Sequence, residues 1–301
     1  MDESYSSLLD KGEFYYNQKN FKKALSTFLK LVEVFPCNTI GWTKVANTYT
    51  QLNQIEEALT AFSKALELTQ SDPTIYYNYA NLLLDINEYD KAIENYQESI
   101  RLDKNLALAY FNLGIALSKV KRFEESLNNY NKYASVNPDD PEVYYHIGTV
   151  QSENDNHEEA IKNYHKTLDI NPKHTAAIVN LAVSLDKIGQ HEESLAAYEK
   201  AIAITPSNST LFDNCGNTYL SLSNYDKALE FFNKASKLNP NDAYPYYNRA
   251  CTYARMNKLS NAIEDLKKAI KYSPEFKEYA KTDADFDNIK DSKEFKKLIN
   301  N

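Results

Sequence analysis

Eight asparagines and one histidine stand in two columns that step along the chain by 34 residues. Asn78, Asn112, Asn180, Asn214 and Asn248 share one position, and His146 fills the step between Asn112 and Asn180. Asn47, Asn81 and Asn217 form a second, partial column. A carboxamide offers both hydrogen-bond donors and acceptor lone pairs. A row of them can grip the backbone of an extended peptide without reading its side chains. Asparagine is also abundant overall, at 33 of 301 residues, and many of the others fall in turn segments.

Other chemistry-bearing residues are scattered. Of His146, His157, His165, His174 and His191, none lies four residues from another histidine or a suitable cysteine, so no zinc site is expected. Cys37, Cys215 and Cys251 are odd in number and distant in sequence, which predicts no disulfide framework and a reducing compartment, by default the cytoplasm. No Ser-His-Asp or Cys-His nucleophile can be assembled, so no enzyme activity and no cofactor is expected. Glycine occurs six times, and Gly12, Gly114, Gly148 and Gly216 share one position where Ala46, Ala80, Ala182 and Ala250 stand elsewhere. A small residue there allows close helix approach, and Gly41 and Gly189 alone cannot form a phosphate cradle. The scarcity of glycine further predicts few tight turns. The chain carries 34 basic and 42 acidic residues, a net −8, which argues against a nucleic-acid surface. The N-terminus lacks a secretory leader, and no apolar stretch approaches the ~18 residues of a membrane span.

The elements that position the asparagines repeat with the same period. Pro138, Pro172, Pro206, Pro240 and Pro274 are 34 residues apart, and Pro36 is in register with them. Ala24, Ala58, Ala92, Ser126, Ala160, Ser194, Ala228 and Ala262 share a small position. Phe28, Phe62, Tyr96, Tyr130, Tyr164, Tyr198, Phe232 and Leu266 share a nearly invariant ring position. Tyr110, Leu113, Gly114 and Leu117, then Phe123, Ser126, Leu127 and Tyr130, fall on helical spacing, with a short polar turn between. Each unit is therefore read as a helix-turn-helix, with Asp72-Pro73 and Asp140-Pro141 as caps followed by first-turn prolines.

These residues resemble the tetratricopeptide repeat family. The tryptophan usual at the family's first aromatic place is Trp42, with Tyr76, Tyr110, Tyr144, Phe212 and Tyr246 equivalent. The match places eight repeats at 5–38, 39–72, 73–106, 107–140, 141–174, 175–208, 209–242 and 243–276. The segment 277–301 is read as a cap, in which Phe286, Ile289, Phe295, Leu298 and Ile299 face the last repeat. The resemblance implies an all-α fold, a right-handed α-α superhelix whose concave groove is lined mainly by the first helix of each pair. It places Tyr77, Phe111 and Tyr145 in that groove, with Tyr247 equivalent and Val179 and Asp213 breaking the series. The repeat domain of the enzyme that attaches N-acetylglucosamine to proteins carries a similar asparagine ladder.

The expected function is a non-catalytic scaffold that holds an extended peptide or helix of a partner protein. The groove middle is partly apolar at Phe111, Ile115, Tyr145, Val179 and Val183, with Asp85, Lys119, Glu153 and Lys187 alternating in charge beside it. The family's chaperone clamp needs cations where Thr43, Leu108 and Asn112 stand, so a carboxylate-clamp partner is not expected. Two other readings are a recruiting array for a protein glycosyltransferase-like system and a self-associating repeat protein. The end of the chain in a cap weighs against the former. Arg249 occupies a normally apolar position and needs a carboxylate, for which Asp265 is the expected partner.

Overall fold

The computed structural model describes residues 4–300, and every regular element among them is helical. Two compact units divide between His146 and Ile147, inside one helix. The first holds α1 (Tyr5–Asn17), α2 (Phe21–Val34), α3 (Thr39–Gln51), α4 (Ile55–Leu68), α5 (Pro73–Asp85), α6 (Tyr89–Leu102), α7 (Ala107–Lys119) and α8 (Phe123–Val136). Helix α9 (Pro141–Glu153) carries the division. The second unit continues with α10 (His157–Ile170), α11 (Thr175–Lys187), α12 (His191–Ile204), α13 (Ser209–Ser221), α14 (Tyr225–Leu238), α15 (Ala243–Arg255) and α16 (Leu259–Tyr272). It closes with α17 (Phe276–Thr282), a short 3-10 turn over Ala284–Phe286, and α18 (Lys293–Asn300). Within each unit a helix packs chiefly on its neighbours in chain order.

Helix starts follow from capping chemistry. Asp72 Oδ1 accepts from the Thr74 amide at 2.8 Å, and Pro73 occupies the first turn, where its missing N–H costs nothing. Asp242 and Asn208 cap α15 and α13 in the same way.

The turns inside the helix pairs overturn one expectation. Glycine is scarce, yet tight turns recur at every step. Lys19, Asn53, Asn87, Lys121, Asp155, Gly189, Ser223 and Asn257 all have positive φ, and only one of them is glycine. Each stands one residue past a helix C-cap, and the next residue's amide closes on the last turn. Gln54 N donates to Tyr49 O at 3.0 Å and Arg122 N to Leu117 O at 2.9 Å. This is the Schellman closure, in which orphan carbonyls are satisfied by a left-handed residue. Asparagine and aspartate tolerate that conformation through their short polar side chains. Lysine at 19 and 121 carries its full steric cost.

The core is a ring set against a small residue. Phe28, Phe62, Tyr96, Tyr130, Tyr164 and Phe232 are all essentially inaccessible. A Cβ placed on Gly114 would lie 2.7 Å from the Tyr130 ring, and one on Gly148 would lie 2.7 Å from Tyr164. Gly12 and Gly216 meet Phe28 and Phe232 in the same way. Where serine replaces the buried alanine of the second helix, its hydroxyl finds a carbonyl on the first. Ser126 Oγ donates to Gly114 O at 2.7 Å and Ser194 Oγ to Ala182 O at 2.8 Å. At the far end, Phe286, Ile289, Phe295 and Ile299 are buried in one cluster with Tyr247, Cys251 and Leu266, and Leu298 packs on its edge.

The turn geometry gives a direct test. Lys121→Gly relieves left-handed strain and should raise the urea midpoint by about 1 kcal/mol of stability, while Gly189→Val should lower it by a similar amount. No change in either variant, or changes of the reverse sign, would show that the turns do not bear this strain.

Candidate functional site

The first unit arranges its asparagines as a linked pair. The Asn112 amide donates to Asn81 Oδ1 at 2.8 Å and to the Tyr77 hydroxyl at 3.3 Å. Asn81 Oδ1 accepts a second bond from the Tyr96 hydroxyl at 2.6 Å. Both lone pairs of that oxygen are used, which fixes which way each amide points. Among the described residues, no hydrogen bond uses the Asn112 carbonyl or the Asn81 NH2. A helix-to-helix tie therefore leaves one acceptor and one donor group for another molecule. Asn78 is half-buried and makes no side-chain hydrogen bond among the described residues. Asn47 lines a 230 Å³ recess with Tyr16, Asn17 and Lys44.

His146 holds its column place by ring packing. It stacks on Tyr130 at 5.6 Å and meets Phe111 edge-on at 5.3 Å, and Tyr145 touches it at 5.4 Å. Phe111 also contacts Tyr133 at 4.9 Å, so this ring serves helix packing as well as any surface role. Tyr77 packs 6.1 Å from Tyr96, and Ile115 is half-buried nearby in the register.

The second unit carries a feature that the column pattern did not reveal. Asn248 Nδ2 donates to both carboxylate oxygens of Asp213, at 3.1 and 3.0 Å. Asp213 is 8% exposed and has no cation against it among the described residues. Burial pushes its carboxyl up to about 7; Asn248 and Asn217 pull it back, and Asp242 adds to the rise. Asn214 and Asn180 are both half-buried, and Asn180 makes no side-chain hydrogen bond among the described residues. Tyr247, expected beside the groove aromatics, is instead buried, and its hydroxyl donates to Asp283 Oδ2 at 2.7 Å. The segment that follows α16 covers it, with the Phe276 and Phe286 rings 4.5 and 5.7 Å from its own.

Arg249 lies against Asp265 in a two-pronged contact. Its Nε donates to Oδ2 at 2.6 Å and its second terminal nitrogen to Oδ1 at 2.5 Å. The first terminal nitrogen meets Asn233 Oδ1, and the guanidinium lies 5.4 Å from the Tyr246 ring. The side chains are 12% and 5% exposed, so the pair is largely dehydrated.

Among the described residues, one group brings three ligand-type atoms within 4.8 Å, namely Cys251, Asp283 and Asp285. All three are already engaged. Asp285 is paired with Arg255 at 2.5 Å, Asp283 accepts from Tyr247, and the Cys251 thiol points to Asp283 at 3.7 Å. Burial, with the carboxylates of Asp283 and Asp285 beside it, holds the Cys251 thiol far above its usual range.

Paired helices recurring at one period define a helical-repeat protein. Sequence models described as "Tetratricopeptide repeat" match residues 13–254 and 243–276, and the chain belongs to that family. Solved structures agree in fold. YrrB, titled a TPR protein with an unusual peptide-binding site, is 27% identical with a TM-score of 0.54, over 62% of this chain and 97% of its own. MamA from residue 41 onward, of Desulfovibrio magneticus RS-1, is 22% identical with a TM-score of 0.53, over 60% and 98%. The APC/C hetero-tetramer Cut9-Hcn1 is 15% identical with a TM-score of 0.57, over 99% of this chain and 56% of that one. A comparison with curated proteins gives no match. No helix among the described residues is long and apolar enough to cross a membrane.

Two measurements follow from the buried charges. Arg249→Met leaves the buried Asp265 carboxylate with only the half-exposed Lys268 ammonium, 3.8 Å away, and should cost about 3 kcal/mol, most of it recovered when Asp265→Leu is added. For Asp213 the folded carboxyl titrates near 7 against 3.8 in the free residue. Between those values the folded state binds more protons than the unfolded one, so stability falls as pH rises across that window. Asp213→Asn should therefore melt higher than wild type at pH 8, with the difference vanishing near pH 4. A difference that stays flat over this range would contradict the assignment.

Proposed function

We propose that this chain is a non-catalytic interaction scaffold whose asparagine columns hold the backbone of an extended segment of a partner protein. The observation that carries the reading is the Asn81–Asn112 pair. Internal hydrogen bonds orient both amides and leave a carbonyl and an NH2 unused, the two groups a peptide unit requires. Asn78 in the first unit, and Asn180 in the second, add amides of the same register. Tyr77, Phe111, Ile115 and Tyr145 supply apolar contacts beside them. The peptide-binding site named for YrrB supports the same use of the fold. We further read 5–276 as eight repeats and 277–301 as their C-terminal cap.

Peptide-library panning against the full chain tests this. Two variant pairs separate the units, Asn78→Ala with Asn112→Ala and Asn180→Ala with Asn214→Ala. Each lost amide contact is worth about 1 kcal/mol, so an enriched peptide should bind about tenfold or more weakly to the pair that lines its site. Circular dichroism should show unchanged helix content. Unaltered affinity in both pairs would exclude the columns as the binding surface.

A further inference from the structure

One cleft in the second unit is enlarged relative to its counterpart one hundred and thirty-six residues earlier. Ile161, Leu168, Ile178, Leu181 and Leu185 line a cavity of about 550 Å³ between α10, α11 and α12, together with Pro172 and Lys200. The register-equivalent cleft in the first unit holds about 280 Å³ and is lined by Trp42, Val45, Tyr49 and Thr60. Five lining positions differ along the register. Ile178 stands for Trp42, Leu185 for Tyr49 and Ala196 for Thr60, each a smaller side chain, while His165 stands for Leu29 and Leu181 for Val45. Every other copy from the second onward has a ring at the first of these positions.

The surroundings that a ring uses in those copies are still present. Trp42 donates its indole N–H to the Pro36 carbonyl at 2.8 Å, and the Tyr246 hydroxyl donates to the Pro240 carbonyl at 3.2 Å. Pro172 is the register equivalent of both prolines and lines the cavity, and among the described residues no group donates to its carbonyl. A lysine recurs as well. Lys132 Nζ lies 5.2 Å from the Tyr110 ring centre and Lys268 Nζ lies 5.9 Å from that of Tyr246. Lys200 is the same lysine position and lines the cavity, where Ile178 stands at the ring position and the imidazole of His165 on α10 belongs to the wall. A lysine ammonium over a ring face is electrostatically favourable, and a volume of this size is ordinary for a ligand pocket.

We propose that this cleft is a second binding site, which receives the side chain of a tryptophan or tyrosine carried by a partner polypeptide. The ring takes the place that Ile178 leaves open, lies against Lys200, and donates its N–H or O–H to the Pro172 carbonyl. The site is separate from the asparagine columns. Asn180 is two residues from Ile178, about 200° around α11, so the two side chains leave the helix in nearly opposite directions. Its occupancy does not depend on a peptide at the columns.

Methyl-resolved NMR of the full chain tests the proposal, with N-acetyl-L-tryptophanamide as the probe. Saturable shifts are expected at the Ile178, Leu181 and Leu185 methyls. N-acetyl-L-phenylalaninamide lacks the donor and should bind about fivefold more weakly. N-acetyl-L-leucinamide loses the ring contact too and should bind about tenfold more weakly. Lys200→Ala should weaken the tryptophan probe about threefold while leaving the leucine probe unchanged. Ile178→Trp fills the cleft from within, and should abolish the shifts while raising the melting temperature. Equal binding of the leucine probe would overturn the proposal, as would shifts that persist at Leu181 and Leu185 in Ile178→Trp. Methyl shifts that depend on protein concentration without probe would assign the cleft to a second copy of the chain instead, and would also overturn it.

Discussion

Everything in this molecule rests on the seating of one ring against one small side chain. The second helix of each pair brings Phe, Tyr or, once, Leu to a residue on the first helix that is only ever glycine or alanine. Interior packing leaves no slack at that contact, since atoms there already sit at van der Waals distance. The ring fixes how closely the two helices approach. It thereby sets which residues of the first helix are left for other work, the asparagines among them. A single pair cannot bury the remaining apolar surface, and its neighbours in the chain complete the enclosure.

Much of this was legible in the sequence because the period multiplies every signal. One alanine or one tyrosine says little, but eight in register leave no other fold class. The pairing of Arg249 with Asp265 was likewise readable, since a cation at an apolar position has few neighbours that can neutralise it. The turns were misread for a physical reason. A count of glycines measures only the least strained route to a left-handed residue, and this chain takes the route through asparagine, aspartate, serine and lysine. Asp213 was seen as a break in an aromatic series. Its burial and its bond to Asn248 depend on spacing between successive first helices, which composition does not encode. The cleft at Ile178 did have a signal, the missing ring in an otherwise aromatic column. A gap in a series is harder to read than a member of it.

The asparagine columns show why one residue type can serve two purposes. An amide has two donor hydrogens and two acceptor lone pairs, and a bond to the neighbouring helix consumes only part of that capacity. The same bond removes rotational freedom, so the unused groups are already oriented. Preorganisation of this kind lowers the entropy lost when another molecule docks. Where a carboxylate replaces the ring, as at Asp213, the NH2 of the neighbouring Asn248 is spent on it, and the column changes character within a single step.

The polar ties described above have a common reach. Asn112 to Tyr77, Asn248 to Asp213 and Tyr247 to Asp283 each span 35 or 36 residues. No tie of this set crosses more than about one unit of chain. Contacts so near in sequence close small loops, and folding rates across proteins rise as mean contact separation falls. The described residues include no strand that must find a distant partner. The chain can begin to fold at any well-formed pair and extend from there, so that synthesis order and folding order need not conflict.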